Sequence, residues 1–82
     1  MVLASADRGD WVLCQVTSQP YGDAHSEPLA AGDFAAGGLR LVSYARPAKL
    51  FTAHQSLFTA EVGRLQPQAF QRIRDAVLAV FK

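Results

Sequence analysis

Three rhythms of apolar and polar residues run along this chain, and each predicts a different element. Trp11-Val12-Leu13-Cys14-Gln15-Val16-Thr17-Ser18 is a near-continuous run of β-branched, aromatic and aliphatic residues, bounded by Gly9 before it and Pro20 after it. Such a run predicts a strand buried on both faces, and so central in a sheet. Val2-Leu3-Ala4 predicts the end of another strand. Arg8-Gly9-Asp10 predicts a turn between them, because glycine supplies permissive dihedrals and aspartate bonds to nearby backbone. Gln19-Pro20-Tyr21-Gly22-Asp23 predicts a second turn.

Residues 24 to 38 keep no single periodicity and read as loop. Leu39-Arg40-Leu41-Val42-Ser43-Tyr44 predicts a strand that Pro47 interrupts, so that Lys49-Leu50-Phe51-Thr52 becomes a separate short strand. Leu57 to Leu65 predicts one more. The last segment changes period. After Pro67, which suits a first helical position, Phe70, Ile73, Val77, Val80 and Phe81 form one apolar stripe, widened by Ala69 and Ala76. That spacing predicts an amphipathic helix whose stripe packs on the sheet, with Arg72 and Arg74 on its wet face.

Composition narrows the class. The chain has 82 residues, 50% hydrophobic and 18% charged, with a formal charge of +1. These values predict one folded domain over residues 1–82 with a modest core. They give no global electrostatic argument for nucleic acid, so a nucleic-acid site has to be a local cluster. The one cysteine, Cys14, sits in the apolar run and reads as a small core residue in a reducing compartment. No apolar stretch approaches the roughly 20 residues that span a bilayer. MVLASADRGD lacks the basic and apolar regions of a secretory signal. The expectation is a cytoplasmic protein with no membrane partner, which counts against Arg8-Gly9-Asp10 as an adhesion signal.

Several chemistries lack their motifs. His25 and His54 are far apart, and neither has a ligand at metal spacing, so no metal is expected. Gly37-Gly38 is not followed by the Gly-Lys of a phosphate loop. No Gly-x-Ser-x-Gly elbow is present. The expectation is a protein without cofactors.

The ordered set of segments resembles the MazF/PemK family of bacterial toxins. VLCQVTS is similar to the family's hydrophobic strand ending in Thr-Ser. GDFAAGGL follows as a Gly-rich approach. SYARPAKLFTAHQSLF is similar to the segment running through Lys-Leu-Phe-Thr, and VGRLQP opens a helix as the family's Gly-x-Leu does. The similarity runs from about Val2 to Phe81. It implies a mostly β fold with a helix: a small SH3-like β-barrel (MazF/CcdB-like), partly incomplete, with a C-terminal amphipathic helix. It further implies a homodimer, a cognate antitoxin as partner, and metal-independent cleavage of single-stranded RNA.

The resemblance carries over residue by residue. The strand-end threonine matches Thr17, beside Ser18, and Arg46 matches an arginine that stands two residues before an aspartate in plasmid-borne members. Thr17, Ser18 and Arg46 are therefore the catalytic candidates, and Gln19, Lys49 and His54 the RNA-binding ones. The chemistry suits those types. Attack by a 2′-OH needs a base, an acid and donors for the phosphorane charge, and an arginine with hydroxyls can hold phosphate without a metal. Trp11 and Tyr44 are candidate stacking platforms.

Two departures stand out. Ala48 occupies the position of the family's aspartate. The chain also begins where the family's second strand ends, so the expected domain lacks the first strand, its loop and their Arg-Pro arginine. Three functions stay open: a toxin endoribonuclease, weakened or inactive; a non-catalytic remnant that binds an antitoxin; or a nucleic-acid-binding barrel.

Overall fold

The Trp11 run does become the centre of a sheet. The computed structural model describes all 82 residues. Its strands are β1 (Val2–Ser5), β2 (Asp10–Thr17), β3 (Glu27–Leu29), β4 (Phe34–Gly37), β5 (Ser43–His54) and β6 (Gly63–Leu65), followed by the helix α1 (Pro67–Val80). Short 3-10 turns cover Ala31–Asp33 and Gln55–Leu57. Four strands form one antiparallel sheet in the order β1-β2-β5-β3, curled as half a barrel, and β4 and β6 form a separate two-stranded ribbon.

Alternation sorts the two faces of the sheet. Cys14 and Val16 of β2 and Ala45 and Leu50 of β5 face inward, toward Leu29 of β3 and Ile73 of α1. Cys14, Ala45 and Ile73 are wholly buried. Removing such a side chain from water contributes on the order of 1.5–3 kcal/mol for an isoleucine. The helix docks through Ala69, Ile73 and Val77 as its period predicts, whereas Phe81 lies past its last turn and is 74% exposed. The odd residues of β2 point to the outer face, where Leu13 opposes Phe51, Gln15 opposes Arg46 and Thr17 opposes Tyr44.

The turn before β2 is tighter than its glycine alone announces. Asp7, Arg8 and Gly9 all have positive φ, of 70°, 54° and 80°. Asp10 N–H donates to the Asp7 carbonyl at 3.0 Å, closing the hairpin between β1 and β2.

Four elements differ from the sequence pattern. First, Pro47 does not end a strand. β5 runs through it because the ladder with β2 slips there: Cys14 opposes Leu50, and Gln15 opposes Arg46. Residues 47 to 49 bulge out of the pairing, so the missing N–H of Pro47 costs no ladder bond. Its ring is fully buried. The Cys14 thiol donates to the Arg46 carbonyl beside the bulge at 3.2 Å. Second, Leu39 to Val42 is not a strand; Leu41 and Val42 are 67% and 60% exposed. Third, strand structure near Leu57–Leu65 is confined to Gly63–Leu65. Fourth, the region read as loop supplies β3 and β4. Pro28 is tolerated in β3 because β3 is an edge of the sheet. Gly37 lets β4 approach β6: with φ of 63°, a side chain there would collide with the Val62 carbonyl.

Candidate functional site

The bulge places Arg46 on the outer face, and the turn after β2 folds back to meet it. The Arg46 Nε donates to Asp23 Oδ2 at 2.8 Å, and Nη1 donates to Gln15 Oε1 at 2.8 Å. The side chains of Arg46 and Asp23 are 24% and 10% exposed, so this ion pair is shielded more than a surface pair. Two contacts fix the guanidinium plane and leave Nη2 without a partner in the chain.

Asp23 is placed by its own turn. Its N–H donates to the Pro20 carbonyl at 3.0 Å, and its Oδ1 accepts the His25 N–H at 2.9 Å. The hydrogen bond from Arg46, then the one from the His25 backbone, holds the carboxyl below the usual carboxylate range.

Thr17 ends β2 opposite Tyr44. Its hydroxyl is used locally: it donates to the Gln19 carbonyl at 3.3 Å and accepts the Gln19 N–H at 3.1 Å. This is a side-chain turn of the kind that hydroxyls favour at strand ends. Ser18 is exposed beside it. The Gln19 side chain accepts from the Tyr21 hydroxyl at 2.7 Å. Thr17, Ser18, Gln19 and Arg46 therefore gather at one end of the outer face.

Lys49 and His54 lie elsewhere. Lys49 stands in the exposed bulge. His54 opposes Asp10 at the far end of the sheet, while Arg46 opposes Gln15; five residues of β2 separate the two positions, about 17 Å. The His54 Nδ1 accepts the Ser56 N–H at 3.1 Å and lies 2.8 Å from the Ser56 hydroxyl, capping the 3-10 turn that follows. Trp11 is at this end too, with its indole N–H directed at Gln55 Oε1 at 3.4 Å.

Sequence reasoning missed Asp23 and Gln15. Asp23 reads as a turn residue, and only its distance from Arg46 in space gives it a second role. No carboxylate stands two residues after Arg46, where Ala48 is; the carboxylate that Arg46 meets is Asp23, in the turn after β2. Arg72 also differs from its expected wet role. It donates to Asp33 Oδ1 at 3.3 Å and to the Pro28 carbonyl at 2.7 Å, pinning α1 to β3.

A second concave feature has a separate lining. An apolar groove of about 1020 Å³ opens between β1, the β4–β6 ribbon and α1. It contains none of the residues gathered around Arg46.

Comparison of the chain with protein families, curated proteins and solved structures finds no match.

Proposed function

We propose that this chain is a MazF/PemK-like, SH3-like barrel protein that acts on single-stranded RNA as the toxin of a toxin–antitoxin pair. One observation carries the reading: Arg46, with a carboxylate 2.8 Å from its Nε, stands on one sheet face with Tyr44 and Phe51. An oriented guanidinium with a free nitrogen can take a phosphate oxygen, and aromatic rings on a sheet face, here the exposed Phe51 and the half-buried Tyr44, can stack unpaired bases. In cleavage, Asp23 would take the 2′-OH proton and Arg46 would stabilise the charge that develops on the phosphorane. His25, whose backbone N–H donates to Asp23, would be the candidate acid for the leaving oxygen. Ser18 and Gln19 would line the path of the backbone.

The test is incubation of the purified protein with unstructured RNA in excess EDTA. Cleavage that is lost in Arg46→Ala and Asp23→Asn supports the assignment. Cleavage retained by both variants removes it.

A second reading, a non-catalytic binding module, is favoured by a specific pair of facts. The Thr17 hydroxyl is committed to Gln19, and a carboxyl held low by Arg46 is a weak general base. This reading expects RNA or antitoxin binding without cleavage, with binding that weakens steeply as salt rises. The exposed apolar side chains also suit a homodimer, which sedimentation velocity at micromolar concentration would detect.

A further inference from the structure

The sheet and the ribbon both end at the same groove. β1 has β2 on one side and no strand on the other, and β6 has β4 on one side and no strand on the other. Met1 and Val2, at the start of β1, line the groove from one wall, and all three residues of β6 line it from the other. The floor between them is apolar: Val16 from the strand behind β1, Phe34 from the strand behind β6, and Phe70 from α1. The start of β1 and the whole of β6 therefore border the groove, and each of these strands has one unpaired edge.

The surface area gives the scale of what is uncovered. The chain exposes 5713 Å², and only 9 of its 82 residues are buried. A folded monomer of 8.9 kDa is expected to expose about 4800 Å². The excess of about 900 Å² is spread over the whole surface, with Tyr21, Leu41, Phe51 and Phe81 outside the groove contributing to it, so the groove is one part of what is uncovered.

We infer that the groove between β1 and β6 is the seat of a single extended strand from a separate polypeptide, which completes the barrel by pairing with both edges. The two edges decide the form of the occupant. A helix satisfies its own backbone and would leave both edges unpaired. A second copy offering its own β1, already paired to β2, could join one edge but not both. The floor decides the side chains: apolar residues at alternate positions would face Val16, Phe34 and Phe70, and polar ones would face water. The rim decides the flanks. Arg64 and Arg74 bring guanidiniums against the single carboxylate of Glu61, while the Met1 nitrogen donates to the Cys14 carbonyl at 2.9 Å. Glu61 is already 3.8 Å from Arg64, while Arg74 forms no ion pair. Acidic residues beside the strand are the complement. This inference stands apart from the RNA reading, since the seat shares no residue with the Arg46 cluster.

The probe is a synthetic peptide of about nine residues, with valine and threonine alternating and glutamate at both ends. A matched peptide carries proline at its centre, which removes a ladder donor. Titration and amide hydrogen exchange on the full chain read the result. The expected outcome is saturable binding that slows exchange in both β1 and β6, and about tenfold weaker binding of the proline peptide, the effect of one lost backbone bond. Arg74 is exposed on the helix, so Arg74→Glu keeps the fold and should turn the preference toward a lysine-flanked peptide. Protection of neither edge, protection of one edge only, or equal binding of the proline peptide would overturn the proposal. So would concentration-dependent protection of both edges without peptide, which would give the seat to a second copy. None of these readouts involves RNA, so failure here leaves the Arg46 reading untouched.

Discussion

The two ends of β5 carry similar polar residues and use them in opposite ways. At the Arg46 end, a guanidinium reaches across the fold to Asp23 and Gln15, residues 23 and 31 positions away in sequence. At the His54 end, the imidazole reaches two residues forward to Ser56 and closes a turn. One end spends its polar groups on long-range positioning and keeps a nitrogen free. The other spends them on local chain geometry. A titratable histidine on an exposed strand end is thus a poorer guide to a site than an arginine held from two sides.

The sharpest way to break this contrast is to truncate both ends and measure cleavage or binding of single-stranded RNA. Arg46→Ala should lower the rate by about 10²–10³, the usual loss when one donor to a developing oxyanion is removed. His54→Ala should change it by less than about threefold, well under the 1.4 kcal/mol that makes a factor of ten. Equal losses would erase the distinction.

The next largest effect belongs to the other end. A side chain at Gly9 would start 2.6 Å from His54 Nε2, on a backbone with φ of 80°. Gly9→Val should destabilise the fold by about 1–3 kcal/mol in urea denaturation while leaving the Arg46 contacts in place. His54→Ala removes only the cap and should cost about 0.5–1 kcal/mol in the same assay.

The smallest effect is visible only in acid. The Asp23 carboxyl is held below its ordinary value in the fold, chiefly by Arg46. Its stabilising contact is therefore complete above the unfolded value of about 3.9 and is lost as the pH falls through the lower folded value. Asp23→Asn should flatten that part of the acid-denaturation curve. A residual slope should remain from Asp33, which the Ala30 N–H and then Arg72 shift in the same direction.

The strongest periods were legible in the residues. The helix stripe through Ile73 and Val77 and the central strand around Cys14 both stand where the pattern puts them, because burial on a fixed face selects those residues one by one. Elements of three or four residues were not legible. β3 is made of Glu27, Pro28 and Leu29, whose composition argues against a strand; it forms because β5 offers it an edge and Arg72 ties down the Pro28 carbonyl. The apolar stretch from Leu39 to Val42 errs the other way: it has strand composition and no neighbour to pair with. For the candidate site, Arg46 and Thr17 could be named from their segment, whereas Asp23 and Gln15 join it only once β2, its turn and β5 are brought together.

The slip at Pro47 also has an arithmetic. Arg46 and Leu50 are four residues apart, and in an unbroken strand an even separation puts two side chains on the same face. Here they oppose Gln15 and Cys14, neighbours that point to opposite faces, because three residues stand outside the ladder between them. An odd interruption reverses parity. It lets one strand turn Leu50 into the core on one side of the slip and Arg46 out of it on the other. Deleting residues 47 to 49 together would make Arg46 and Leu50 strand neighbours, which point to opposite faces without any slip, so Arg46 should stay outside and the ladder with β2 should close.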